Sequence, residues 1–312
     1  MTRRRPRPPD LTAFHLLFGL WLMLAWTLSA AGVVDVWMPR SGALQQEFLA
    51  AFEGALKEKG HNVGAIHDLG VTPRPTPAPG KVIVALGRDA TAQALDAGAT
   101  AVLSVLVSRR DALALHADDA TGKLGAIVLD QPIPRRLAML RILAPDVASV
   151  AVLLGISAPE PAAALNQAIE AAGFTPRLAT VEREQEIVPA LERVLTPDSA
   201  LLATPDPGIF NRDTVMSILL TSYRHRRPVI GFTPAYVRAG AVAGVFSTPA
   251  DIALQATQLL TAQDDLQAFK RGILDPEHFR VAINQRVSRS LGLPEISEDT
   301  LRTRLLDWEA GR

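Results

Sequence analysis

Short runs of apolar, largely β-branched residues alternate along this chain with stretches of helical length. That alternation restricts the fold more than any other feature of the sequence. Lys81 to Leu86, KVIVAL, is apolar almost throughout, as a strand covered on both faces requires. Val33 to Trp37, Val63 to Ile66, Ala101 to Val107, Leu124 to Leu129, Val150 to Leu154, Arg177 to Val181, Ala200 to Ala203 and Pro228 to Phe232 read as further strands. Between them, Ser41 to Lys59 places Leu44, Phe48, Ala51, Phe52, Ala55 and Leu56 on one helical face, and Gly60 stops the helix. Helices are also predicted over Ala90 to Ala97, Pro134 to Leu143, Pro161 to Ala172, Gln185 to Leu195, Thr214 to His225, Ala250 to Ala262 and Gln285 to Leu291. Strands separated by helices of this length make βαβ units, hence parallel sheets. Two successive runs of such units predict an α/β chain of two doubly wound parallel-sheet lobes. Open α/β sheets bind ligands beyond the carboxyl ends of their strands. The loops after Trp37, Leu86, Val107, Leu129, Leu154, Ala203, Phe232 and Val245 are therefore the places to look for a site.

The 312 residues suffice for two modest lobes, and at 48% hydrophobic content they can bury substantial cores. The formal net charge of +0 supplies no basic field for phosphate, so nucleic acid is not expected as a partner. With no cysteine, disulfides, thiolate metal sites, a cysteine nucleophile and a lipoprotein anchor are all excluded. The N-terminus carries an address: Arg3, Arg4, Arg5 and Arg7, then an apolar run from Leu11 to Leu28, then the small residues Ser29, Ala30 and Ala31. This is the layout of a secretory signal peptide over residues 1–31. An uncleaved membrane anchor is the alternative, since the run approaches the roughly 20 residues of a spanning helix.

A more specific pattern begins at Leu201. A strand ends in Pro205-Asp206, a helix follows, and then come Pro228-Val229-Ile230-Gly231, Tyr236-Val237-Arg238-Ala239-Gly240-Ala241 and a helical stretch from Asp251 to Leu260. Upstream stands RRLAMLRILAPDVASVAVLLG, and near the end VAINQRVSRSLGLPEI. In this order, from about Arg135 to Ile296, the segments resemble a bacterial ABC-transporter substrate-binding family that includes tryptophan-type uptake receptors. The resemblance implies the type I periplasmic-binding-protein arrangement of two lobes joined by a hinge. It places residues 32–127 plus 247–274 in the N-lobe and residues 128–246 plus 275–312 in the C-lobe. The first lobe departs from the family: Arg88 stands where a small hydroxyl residue is usual, and Ser108-Arg109-Arg110 follows the strand ending at Val107 in place of a Phe and Asp-Pro. The identity of the ligand is left open.

Candidate ligand-binding residues follow from these loops. Asp206 can accept a charge-assisted bond from a ligand ammonium or hydroxyl, or it can serve the turn that Pro, Asp and Gly favour in any case. Gly87, Arg88 and Thr91 lie where a helix start offers backbone amides to an anion such as a carboxylate, with Arg88 as its partner or as a solvated surface residue. Trp37 ends the first strand, where it can stack on a ligand ring or cap the sheet. Phe232, Thr233 and Tyr236 occupy one loop, with Tyr236 facing either the cleft or the hinge. Arg224-His225-Arg226-Arg227 closes a helix, where cations complement the dipole, and is read as a helix end.

The sequence holds no Walker loop, GxGxxG, HExxH or GxSxG, and its 6 histidines lack metal-ligand spacing. No catalysis, cofactor or metal is expected. The leading expectation is an exported, monomeric solute-binding protein that captures a small organic ligand between its lobes and delivers it to an ABC permease in the inner membrane. A sensor presenting ligand to a membrane histidine kinase, and an exported α/β enzyme, are the alternatives. N-terminal sequencing of the exported product is expected to read from about Gly32. An intact Met1 or Thr2 on a membrane-bound product would establish the anchor instead.

Overall fold

A computed structural model describes residues 34–71, 74–120 and 122–311. The leader expected over residues 1–31 lies outside the described residues. Among those described, no helix is long and apolar enough to cross a membrane.

Among the described residues, twelve strands and eleven α-helices follow one another in near-regular alternation. The first half comprises β1 (Val34–Met38), α1 (Ala43–Glu58), β2 (Val63–Asp68), β3 (Val82–Leu86), α2 (Arg88–Asp96), β4 (Val102–Val107), α3 (Arg109–Asp118), β5 (Leu124–Val128), α4 (Ile133–Leu143) and β6 (Ser149–Leu154). The second half comprises α5 (Ala162–Ala171), β7 (Thr175–Thr180), α6 (Ile187–Val194), β8 (Ser199–Leu202), α7 (Val215–Arg224), β9 (Val229–Gly231), α8 (Pro234–Ala239), β10 (Ala243–Phe246) and α9 (Pro249–Leu260). The chain closes with β11 (Gly272–Leu274), β12 (Arg280–Ile283), α10 (Gln285–Ser290) and α11 (Glu298–Ala310).

The strands form two sheets of six, ordered β11-β5-β4-β3-β1-β2 and β12-β10-β9-β8-β6-β7. The first sheet is parallel throughout. The second is parallel except for its edge strand β12, which runs antiparallel to β10. Helices cover both faces of each sheet, which is why β1, β3, β5, β6 and β8 are buried at every position. This is the two-lobed, doubly wound α/β architecture that the strand–helix alternation predicts.

The chain passes between the sheets three times: from β5 to α4, from β10 to α9, and from β11 to β12. Helix α9 returns to the first sheet, where Ile252, Ala253, Ala256 and Leu260 share one core with Phe48, Phe52 and Leu56 of α1. Helix α4 belongs to the second sheet, with Leu137, Met139, Leu140 and Leu143 in its core.

Three helices do not match a predicted element. Helix α3 begins Arg109-Arg110-Asp111, a polar start whose signal is the N-cap Ser108, which accepts a hydrogen bond from the Asp111 amide at 3.1 Å. Helix α8, in a segment expected to be loop, is nucleated by Thr233 as N-cap and Pro234 at its first position. The third, α11, packs Leu301 and Leu305 into the core of the second sheet. The Arg224–Arg227 cluster does close a helix: Arg226, at φ +57°, takes the left-handed position after α7.

Side chains tie the three crossings together. Arg135 of α4 is 5% exposed. It donates to Gln131 Oε1 at 2.7 Å, to the Pro276 carbonyl at 2.8 Å and to Glu309 Oε1 at 2.5 Å. Its guanidinium also lies over the Phe279 ring, 4.3 Å from the centroid. Gln131 donates to Ser247 Oγ at 2.9 Å, and Ser247 donates to the His278 carbonyl at 2.5 Å. Replacing Arg135 leaves several of these groups buried without a partner. Arg135→Met is expected to lose about 2–3 kcal/mol in urea unfolding. Glu309→Gln, which keeps an acceptor near the guanidinium, is expected to lose about 1 kcal/mol or less.

Candidate functional site

The carboxyl ends of strands from both sheets converge on one cavity of about 230 Å³. Ser108 reaches it from the end of β4, and Leu129, Asp130 and Gln131 from the end of β5. From the second sheet come Glu160 in the segment after β6, Pro205 after β8, and Phe232 with Thr233 after β9. Arg136 enters from the first turn of α4. The backbone is irregular at the first-sheet wall. Leu106 adopts φ +53°, and the β4–β5 register slips between Ser104 and Val107. A bulge of this kind re-aims the residues that follow it, here Ser108 and Arg109.

Three ionisable side chains line the cavity, and none is fully satisfied within the protein. Asp130 is 7% exposed; its Oδ2 accepts from the Arg109 amide at 2.6 Å, while its Oδ1 is buried with no protein partner. Arg136 is 2% exposed and donates from Nη2 to the Ala203 carbonyl, leaving Nε buried and unpartnered. Glu160 is half-buried, and its Oε2 has no partner. Burial pushes the Asp130 carboxyl above its ordinary value, against the opposing effects of the Arg109 amide and the Arg109 and Arg136 charges. Burial likewise raises Glu160, with Arg136 opposing. Burial lowers the Arg136 guanidinium to about 10, against the pull of Glu160 and Asp130. Beside this group, the Arg109 side chain pairs with Asp275 at the third crossing.

An aromatic cluster backs the cavity on the second-sheet side. Phe232 stacks on Tyr236 with ring centroids 5.6 Å apart, and Phe210 meets Phe232 edge-on at 6.2 Å. Thr233 caps α8 through the Tyr236 amide at 3.1 Å, which fixes the start of that helix against the wall.

Of the residues singled out from sequence, Phe232 and Thr233 line this cavity. Tyr236 is 6% exposed and packs behind Phe232; burial raises its phenol, whose oxygen has no protein partner. The other positions do not line the cavity. Trp37 is 1% exposed, in a core with Ile83, Ala90 and Ala94 and edge-on to His67, so its ring caps the sheet. Thr91 is fully buried, donates to the Gly87 carbonyl at 2.8 Å and lies 2.7 Å from Ser104 Oγ, so its hydroxyl is engaged within the first sheet's lobe. Gly87 takes φ +84° as the N-cap of α2, a backbone role. Arg88 is exposed and 3.4 Å from Asp111, the surface arrangement.

Asp206 is fully buried, and both of its oxygens accept backbone amides, from Gly155 at 2.9 Å and from Gly208 at 3.0 Å. Its carboxylate joins the segment after β6 to the turn after β8, and so acts on the site through the chain that leads to Glu160.

Sequence reasoning named five of the loops that reach this cavity, but not Asp130, Gln131 or Glu160, nor Arg136 in the first turn of α4. Among the described residues, no group of three or more His, Asp or Glu side chains is placed to hold a metal ion.

No protein-family model and no curated protein matches the chain. Solved structures do. A ligand-free, open substrate-binding protein with adhesive properties from Clostridium difficile superposes with a TM-score of 0.63 at 14% identity, over 86% of this chain and 97% of the other. A conserved domain protein from Vibrio cholerae gives 0.56 at 15% identity, over 87% and 98%. An ABC domain from Streptococcus pneumonia, solved in complex with L-Trp, gives 0.55 at 14% identity, over 86% and 98%. The shared fold is the two-lobed type I arrangement of periplasmic binding proteins.

Two measurements test the site's energetics. Asp206→Ala should lose about 2 kcal/mol of stability, because two backbone amides lose a charged acceptor. In Glu160 the folded-state carboxyl is raised, so the parent loses stability as pH climbs above about 4, where the unfolded chain ionises first. Glu160→Gln should therefore gain in melting temperature over the parent at neutral pH. The gain should vanish below about pH 4.

Proposed function

We propose that this protein is an exported solute-binding receptor. It captures a small organic molecule in the cavity between its two sheets and delivers it to an ABC importer. The observation that carries this reading is the cavity itself. It lies at the carboxyl ends of strands from both sheets, where open α/β folds take ligands, and buried polar atoms there have no protein partner. A purely structural cluster of this depth would be expected to satisfy those atoms internally.

Binding and release require the cavity to open. We take residues 32–127 plus 247–274 as one lobe and residues 128–246 plus 275–312 as the other, with the three crossings as the hinge. Leu113 of α3, 49% exposed, and Ile156 after β6, 87% exposed, line one crevice from opposite lobes, together with Arg110 and Glu160. Closing the lobes on a ligand buries both apolar side chains, which favours the closed form. The closed form is then the one a permease recognises. The likeness to a substrate-binding protein from Clostridium difficile supports the same reading at the level of fold.

The decisive experiment is native mass spectrometry of gently purified protein, followed by calorimetry with the molecule it retains. A retained small molecule is expected, and its addition to stripped protein should raise the melting temperature and reduce the radius of gyration in X-ray scattering. Ile156→Glu should weaken that binding several-fold, by opposing burial of the lip, while leaving the unliganded melting temperature nearly unchanged. Turnover of the molecule would favour an enzyme on the same scaffold.

A further inference from the structure

The charges around the cavity do not balance, and the imbalance has a sign. Asp130, Glu160 and Asp275 are the carboxylates that interact electrostatically there; Arg136 and Arg109 are the guanidiniums. Arg110 lies with Glu160 in the adjoining crevice but does not line the cavity. Arg109 and Asp275 already pair with one another, so the deficit falls on the group that lines the cavity: Asp130 and Glu160 against Arg136. Arg136 is itself partly engaged with the Ala203 carbonyl.

The hydrogen-bond inventory points the same way. The unpartnered carboxylate atoms are Asp130 Oδ1 and Glu160 Oε2, and an ionised carboxylate only accepts. Asp130 is more than nine-tenths buried and lines the cavity, so solvent does not readily supply the missing donor. The remaining wall is largely apolar: Leu129, Pro205 and the face of Phe232. Such a site lacks a positively charged donor attached to an apolar body.

Building on the receptor reading above, we propose that the cleft selects a small organic cation of net charge +1, an ammonium or amidinium head on an apolar or aromatic body. The head sits between Asp130 and Glu160 and donates to the two free oxygens. The body lies along Leu129, Pro205 and Phe232. Arg136 Nε, an unpartnered donor of the cavity lining, accommodates a neutral acceptor on the same molecule, such as an amide or hydroxyl oxygen. A zwitterion brings no net charge and leaves the deficit in place. An anion deepens it, since its carboxylate enters a site that is already negative.

The test holds the body constant and varies the charge. Calorimetry compares 2-phenylethylamine, L-phenylalanine, phenylacetate and 2-phenylethanol on protein stripped of retained ligand. The amine is expected to bind at least about tenfold tighter than any of the others. In Asp130→Asn and Glu160→Gln that preference should fall towards unity, while the weak binding of 2-phenylethanol stays unchanged. Melting curves confirm that both variants are folded. Tighter binding of phenylalanine or phenylacetate overturns the charge assignment and leaves the receptor reading standing. If none of the four binds, the molecule retained on purification decides: a cation upholds the proposal, whereas a zwitterion, an anion or a sugar overturns it. No probe bound and nothing retained would overturn the receptor reading and this inference together.

Discussion

The guanidinium of Arg135 meets all the demands of a buried cation at one place. It has a carboxylate at 2.5 Å, two oxygen acceptors from different stretches of chain, and an aromatic face. The acceptors belong to the first and third crossings, and Gln131 continues the chain of bonds through Ser247 of the second crossing to His278 of the third. Two sheets joined by three strands of backbone have many relative placements that preserve each core. A bond network through all three crossings reduces these to few. Where the strand ends of one sheet lie opposite those of the other, and hence the size and lining of the cavity, depends on this network.

The next residue, Arg136, shows what the same chemistry does when it is left incomplete. Both arginines are buried on the first turn of α4, and both sit in a helix whose later turns are apolar. Arg135 has three acceptors and an aromatic face, so its burial costs less than that of Arg136 and its removal costs more. Arg136 has one carbonyl and two under-neutralised carboxylates, so its burial opposes folding, as does that of Asp130. A chain under selection for stability alone has simpler residues for these positions. Under the proposed receptor reading, the partner that these under-neutralised charges lack is a ligand.

Much of this architecture was legible in the sequence because burial on both faces of a parallel sheet imposes a continuous apolar run, and KVIVAL can satisfy nothing else. Of the eight loops that the C-terminal-end rule singled out, those after Val107, Leu129, Leu154, Ala203 and Phe232 reach the cavity, and those after Trp37, Leu86 and Val245 do not. The individual residues were harder to read, for a physical reason. A polar residue after a strand looks the same in sequence whether its side chain turns inward to backbone or outward to a cavity. Asp206 turns inward, Asp130 outward, and each follows a strand by a few residues. Arg136 lies beside Arg135 in a helix that reads as amphipathic, and only the tertiary placement of Gln131, Pro276 and Glu309 separates their roles. The start of α3 was missed for a similar reason, since its signal is one serine hydroxyl rather than a periodic face.

Asp206 connects these levels. Its carboxylate accepts the Gly155 amide at the end of β6, and a side chain at Gly155 would bring its Cβ within 2.7 Å of Asp206 Oδ2. Glycine at 155 is thus set by the approach of a buried acid, and the segment that leaves Gly155 carries Ile156 to the rim and Glu160 to the cavity. Asp206, which the sequence leaves open between a ligand group and a turn residue, fixes the root of the segment on which a cavity-lining acid stands. A carboxylate with every oxygen bonded to backbone is a poor binding group and a good anchor.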